Sequence, residues 1–170
     1  MKSFEQLEPN TQENNVKYLD TFDLTWESLG GKKILDAGAA SGEFAAAAKQ
    51  NGVDVVSLEI YANPADKEIQ HRESYVVGDI FKMPFKEGAF DLVLARAAWY
   101  PHLGQFTDYI MALLSIVKDG GELRIAPVPY IDVDFLKSAV SDVDVQIKES
   151  SLSEERYCVI KKNSKNKTAK

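Results

Sequence analysis

Apolar residues recur along this chain in two rhythms. Short, nearly continuous apolar runs at Lys33–Ala37, Val53–Ile60, Ser74–Gly78, Ala89–Ala95 and Glu122–Pro127 have the length and β-branched content of buried strands. Between them, apolar groups return every third or fourth residue, the spacing of a helix with one buried face. Asn10–Leu29 carries Val16, Leu19, Phe22, Leu24 and Trp26 on that spacing and stops at Gly30-Gly31. Gly42–Asn51, Asn63–Gln70, Phe106–Val117 and Val133–Val140 read as further helices, with Ser41 the expected N-cap of the first of them and Gly52 its stop. Gly120-Gly121 is the expected turn into the strand at Glu122.

Val143–Glu149 and Arg156–Lys161 are the last two predicted strands, with only Ser150–Glu155 between them. So short a link cannot make a parallel crossover, so this pair is expected to be antiparallel. Elsewhere strands alternate with helices. The expected fold is therefore α/β, a seven-stranded, mostly parallel sheet with a C-terminal antiparallel hairpin and helices on both faces. A chain of 170 residues without internal repeats or a low-complexity linker is one domain's worth. Residues 1–160 are assigned to that domain, with 1–30 as its N-terminal helical segment.

Composition narrows the partners. The net charge is −6, and Lys161, Lys162, Lys165, Lys167 and Lys170 crowd the last ten residues, so the body is more acidic than the whole. An acidic body repels phosphate backbones, which makes nucleic acid the less favoured partner. Residues 161–170 read as a basic, solvated, disordered tail. Cys158 is the lone cysteine and His71 and His102 the only histidines, so no zinc set is expected. Met1–Tyr18 is polar and acidic, without a secretory apolar core, and no run reaches a membrane span. A cytoplasmic location is the expectation.

Three acids follow apolar strands. Asp36 closes the first, just before Ala37-Gly38-Ala39-Ala40-Ser41-Gly42. A strand that turns through glycines into a helix presents free N–H groups at the helix start, and glycine lets a ligand approach without meeting a Cβ atom. Glu59 closes the second strand, where a carboxylate's paired acceptors suit the two hydroxyls of a ribose. Asp79 follows the third, where it either accepts from an exocyclic amine or caps a turn. Each acid alone has an ordinary explanation as a strand-end charge or cap. Their joint occurrence points to a nucleoside site beyond the carboxyl ends of parallel strands.

From about Lys32 to Pro127 the chain resembles the class I S-adenosylmethionine-dependent methyltransferases. The segments that carry the resemblance are Ile34 to Gly42, Val56-Ser57-Leu58-Glu59, Gly78 to Phe85, Phe90 to Ala95 and Lys118 to Leu123, in that order. The resemblance implies a Rossmann-like fold, S-adenosylmethionine as cofactor with S-adenosylhomocysteine as product, and methyl transfer to an acceptor. By position it implies that Gly38 and the backbone near Ala40 line the methionine portion, which Asp36 orients through water, with Gly42 also counted among the cofactor-binding residues. Glu59 would hold the ribose and Ile60 pack on the adenine. Asp79 would take the adenine amine, beside the N–H of Ile80. Ala95 and Arg96 would face the methionine end and the acceptor. The family often has a glycine where this chain has Ala40, and no Asn-Pro-Pro-Tyr-type segment follows the fourth strand.

In its place stands Arg96-Ala97-Ala98-Trp99-Tyr100-Pro101-His102-Leu103. Arg96 either pairs with an acidic group of substrate or cofactor or makes a structural ion pair. Trp99 and Tyr100 either wall an acceptor or pack a helix. His102 is either a general base or a cap. These candidates for catalysis stay open, because methyl transfer from a sulfonium requires alignment more than acid–base chemistry. The acceptor is a small molecule or a protein, with a partner subunit as one way to close the site.

Two rivals remain. A cofactor-binding but catalytically silent regulatory or interaction module shares every feature above. An NAD-dependent dehydrogenase is the enzymatic rival, but Phe44 stands where it needs a glycine, and Tyr157 and Lys161 fall in a strand instead of a helix. A P-loop is excluded for want of Gly-x-x-x-x-Gly-Lys.

Overall fold

The computed structural model describes residues 17–61, 74–98, 106–128 and 133–164. Helical residues 17–21 (α1) and Trp26–Leu29 (α2) precede β1, Lys33–Ala37. Then come α3 (Glu43–Gln50), β2 (Asp54–Glu59), β3 (Tyr75–Val77), a 3-10 turn at Ile80–Lys82 and β4 (Phe90–Arg96). α4 (Phe106–Ser115), β5 (Val117–Ala126), α5 (Val133–Ala139), β6 (Val143–Glu149) and β7 (Arg156–Lys162) complete the order. The expected helix at Asn63–Gln70 lies outside the described residues.

The strands form one sheet in the order β3-β2-β1-β4-β5-β7-β6. β3, β2, β1, β4 and β5 are parallel, and β7 runs antiparallel to both β5 and β6. The chain steps outward from β1 to β3, then returns to lay β4 on the other side of β1. That reversal opens a crevice at the carboxyl ends of β1 and β4, where sheets of this kind bind ligands.

Alternate residues of each strand feed opposite layers. Ile34, Val55, Leu92, Leu94 and Tyr157 pack with Phe22, Leu29, Phe44 and Ala48, under α1, α2 and α3. Leu35, Leu58, Val93, Leu123 and Ile160 pack with Tyr109, Ile110, Leu113 and Leu136, under α4 and α5. Both faces of the central strands are thus covered, which is why their sequences read as unbroken apolar runs. Truncating a fully buried residue such as Leu35 to alanine would cost about 2 to 5 kcal/mol.

Five expectations change in detail. The helical rhythm of Asn10–Leu29, described from residue 17, belongs to two helical pieces. Asp23 adopts a left-handed φ of 49°, and Thr25 starts α2 with a capping box, accepting from the Ser28 N–H at 3.2 Å. Ser41 does not cap α3, because Gly42 takes the cap position at φ 73° and no side chain bonds there. The helix expected to run to Val117 stops at Ser115, since Val117 already pairs with Phe90. The Gly120-Gly121 turn is then a bulge inside β5, taken up between the Phe90 and Leu92 pairings. Lys161, read both as the end of the last strand and as the start of the tail, and Lys162, assigned to the tail, belong to β7, and Lys162 donates to the carbonyl of Val117 at 2.9 Å.

Candidate functional site

The three acids lie on neighbouring strands. Asp36 pairs in register with Ser57, and Glu59 with Val77, two residues before Asp79. Residues in register on parallel strands share a face, so Asp36, Ser57 and Tyr75 form a row beneath the start of α3.

Glu59 is bonded to the backbone around it. Its Oε2 accepts the Ala40 N–H at 2.9 Å, and its Oε1 accepts the N–H groups of Ile60 at 2.8 Å and Tyr61 at 3.2 Å. A carboxylate has about four acceptor positions, so roughly one is left open. Asp79 Oδ1 accepts from the Phe81 N–H at 2.9 Å, which makes Asp79 the cap of the 3-10 turn and leaves its second oxygen unused by that cap. Ile80 is half-buried behind it. Of the large apolar side chains exposed among the described residues, Ile60, Tyr61, Val77 and Phe81 belong to these two strand ends, whereas Met111 and Leu152 lie elsewhere.

The glycine loop is tightly built. Gly38 and Ala39 donate to the Leu58 carbonyl at 2.8 and 3.1 Å. A Cβ on Gly38 would lie 2.4 Å from the Ala98 methyl, so the chain leaving β4 occupies the space that glycine frees. One on Gly42 would lie 3.0 Å from the Tyr75 ring and 3.3 Å from Ser57 Oγ. Ala40 stands at φ 46°, a left-handed conformation that costs an alanine about 1 kcal/mol. Besides its bond to Glu59, it accepts the Tyr75 hydroxyl on its carbonyl at 2.6 Å.

Asp36 is buried and accepts the Tyr18 hydroxyl. Burial pushes its carboxyl up to about 7, against the Tyr18 bond that lowers it, and the Glu59 charge adds to the rise. Tyr18 is raised in turn, by burial first and then by Asp36. Its ring stacks on Phe44 at 4.4 Å, which seats α1 over the crevice. The buried hydroxyl of Ser57 has no hydrogen-bond partner among the described residues.

Ala95 is fully buried in the layer under α4, and Arg96 turns the other way. The Arg96 guanidinium is already partnered. Nη2 lies 3.0 Å from Glu155 Oε1, and Nε donates to Thr21 Oγ1 at 3.2 Å, while that hydroxyl donates to Glu155 Oε2. The structural alternative for Arg96 is therefore the one this structure displays. Tyr100, His102, Trp99 and Asn63 lie outside the described residues.

Asp23 extends the same clamp by accepting from Ser150, from Ser151 and from the Tyr157 hydroxyl at 3.0 Å. Burial pushes Asp23 up, but these donors outweigh it and hold its carboxyl below the usual range. A separate hollow of about 320 Å³ lies at the other end of the sheet, lined by Gly31, Lys32, Asp91, Lys118 and Glu122. Asp91 there accepts from Lys118 at 2.7 Å and from the Lys33 N–H, which hold it low. This hollow is remote from the three acids.

Tyr18, Tyr75, Ser57, Thr21 and Glu155 were not expected at the site. Ser57 alone left a signal, as a lone polar residue among Val55, Val56 and Leu58. The others are placed by register and by the fold of the two chain ends.

A family profile described as a methyltransferase domain matches residues 35–125, more than half of the chain. A demethylmenaquinone methyltransferase from Beutenbergia cavernae is 28% identical over 107 residues, 60% of this chain and 44% of that protein. A protein-L-isoaspartate O-methyltransferase from Rhodopseudomonas palustris is 32% identical over 132 residues, 66% of this chain and 57% of the relative. The chain thus spans about half the length of these curated relatives. The fold is similar to that of magnesium protoporphyrin IX methyltransferase from Synechocystis PCC 6803 solved with bound SAM, with a TM-score of 0.63 at 15% identity over 91% of this chain and 81% of that one. No helix among the described residues is long and apolar enough to cross a membrane.

Proposed function

The chain belongs to the methyltransferase domain family, and we propose that it transfers the methyl group of S-adenosylmethionine to an acceptor, a small molecule or a protein, held over the carboxyl ends of β1 and β4. The observation that carries this reading is the edge formed by Glu59 and Asp79 with the exposed Ile60, Tyr61, Val77 and Phe81, next to a glycine turn at the reversal of strand order. Carboxylates flanked by unsealed apolar surface suit a nucleoside, whose sugar is a diol and whose base is flat and apolar.

The residues present fit that cofactor. Glu59 would take the ribose hydroxyls, using its open acceptor position and the one freed when the Tyr61 N–H, its longest bond, yields. Ile60 would pack on the base. The second oxygen of Asp79 would accept the adenine amine, beside the Ile80 N–H. The turn through Gly38, Ala40 and Gly42 would border the methionine portion, and Asp36 would stand behind it. When bound, S-adenosylmethionine supplies an electrophilic methyl on a sulfonium, so the protein's task is alignment and exclusion of water. An uncharged-backbone nucleoside also tolerates Asp36, which a pyrophosphate would not. Arg96 serves this reading indirectly, by pinning α1 and the β6–β7 link beside the crevice. The cytoplasmic location belongs to the same proposal.

Calorimetry with S-adenosylhomocysteine, with NAD as control, tests the binding. Preference for NAD would overturn the reading. Labelled methyl transfer into cell extract then separates an enzyme from the silent module, which would bind the nucleoside and yield no labelled product.

A further inference from the structure

We propose that Tyr75 is a positioning residue for the cofactor loop, holding Ala40 in a backbone conformation that alanine by itself disfavours. The inference rests on the S-adenosylmethionine reading above for its binding readout. It stands on one residue held from both sides. Ala40 donates its N–H to Glu59 at 2.9 Å and accepts the Tyr75 hydroxyl on its carbonyl at 2.6 Å, at φ 46°. The φ torsion lies between those two groups. Relaxing Ala40 to a negative φ turns the carbonyl relative to the N–H, so the two bonds are not made together there.

Tyr75 reaches the loop because it enters β3 in register with Ser57, which is itself beside Asp36. Its ring covers the amino end of α3, where a Cβ on Gly42 would lie 3.0 Å from it. The ring therefore sets the height of the helix start, and the hydroxyl sets the turn before it. The hydroxyl acts on ligand binding through Ala40 and Glu59. A glycine at position 40 would adopt the same φ without such help. Tyr75 is thus the counterpart of an alanine at a left-handed position, and the two residues are expected to be coupled.

The test is a double-mutant cycle of Tyr75→Phe and Ala40→Gly, read as the Kd for S-adenosylhomocysteine, with thermal unfolding measured for each variant. Phenylalanine keeps the ring over Gly42, so the fold is retained. Tyr75→Phe should raise Kd about fivefold, the loss of one neutral hydrogen bond. On the Ala40→Gly background the same change should raise it less than about twofold. An unchanged Kd in Tyr75→Phe, or an equal factor on both backgrounds, would overturn the proposal. If the parent binds no S-adenosylhomocysteine, the functional reading falls, and amide exchange decides the latch separately. Tyr75→Phe should speed exchange of the Ala40 amide several-fold, and unchanged protection would refute the latch.

Discussion

Tyr18, in the first described helical turn, hydrogen-bonds to the buried carboxyl of Asp36 on the central strand. This bond joins the wall of the crevice to its floor. Burial has raised the Asp36 carboxyl from 3.8 to about 7, so around neutral pH its charge is in balance. Arg96 is the cation that acts on Tyr18, and Glu59 the anion that acts on Asp36.

The sign of the pH effect follows. Below about pH 4 Asp36 is protonated folded or unfolded. Between there and about pH 7 only the folded chain keeps the proton. The stability that this proton represents is present at low pH and lost as the pH rises through the folded value. Asp36→Asn, neutral at every pH, should have an advantage over the parent that is larger at pH 8 than at pH 5 by roughly 1 to 3 kcal/mol. Urea unfolding at the two pH values checks this. A parent and variant that differ equally at both would show that the Asp36 charge is not the cause.

Glu59→Ala should raise the Kd for S-adenosylhomocysteine at least about tenfold, since hydrogen bonds to a charged group contribute about 1.5 to 3 kcal/mol each. It also removes the acceptor of three backbone N–H groups, so faster amide exchange at Ala40, Ile60 and Tyr61 should accompany the loss. Tight binding by this variant, seen in calorimetry, would remove Glu59 from the site.

Asp79→Ala should weaken binding less than Glu59→Ala. Its separate cost is structural, about 1 kcal/mol for the lost cap on the Phe81 N–H. Asp79→Asn retains an acceptor for that cap, so comparing the two variants in unfolding and binding separates the roles.

Arg96 and Glu155 should couple by about 0.5 to 1 kcal/mol in a double-mutant cycle on stability, because both side chains remain about one-third exposed and screened. Thr21, which bonds both, is the third member of the network. An additive cycle would mean that the ion pair does not hold the helix 17–21 in solution.

Much of the fold could be read from the chain. The strand runs are buried on both faces, so their apolar signal is strong, and six residues between β6 and β7 leave only a hairpin. The segment before β1 was harder. Its helical rhythm survives across the break at Asp23 because α1 and α2 bury apolar groups in the same layer, and periodicity reports burial, not continuity. Glu59 and Asp79 were legible as strand-end acids. The partners of Arg96 were not, because Thr21 and Glu155 lie 75 and 59 positions away and meet it only through tertiary folding. Tyr75 was hidden for a related reason, since a register across three strands decides that its hydroxyl meets Ala40.

Asp20, Thr21 and Asp23 are fastened to Ser150, Ser151, Glu155 and Tyr157, a separation of some 130 residues. During synthesis those early residues emerge long before the segment that receives them exists. Their bonds to that segment cannot form until the closing hairpin has left the ribosome, although Tyr18 can meet Asp36 earlier. Those bonds are therefore late events in maturation, and a nascent chain halted ahead of Ser150 would lack them.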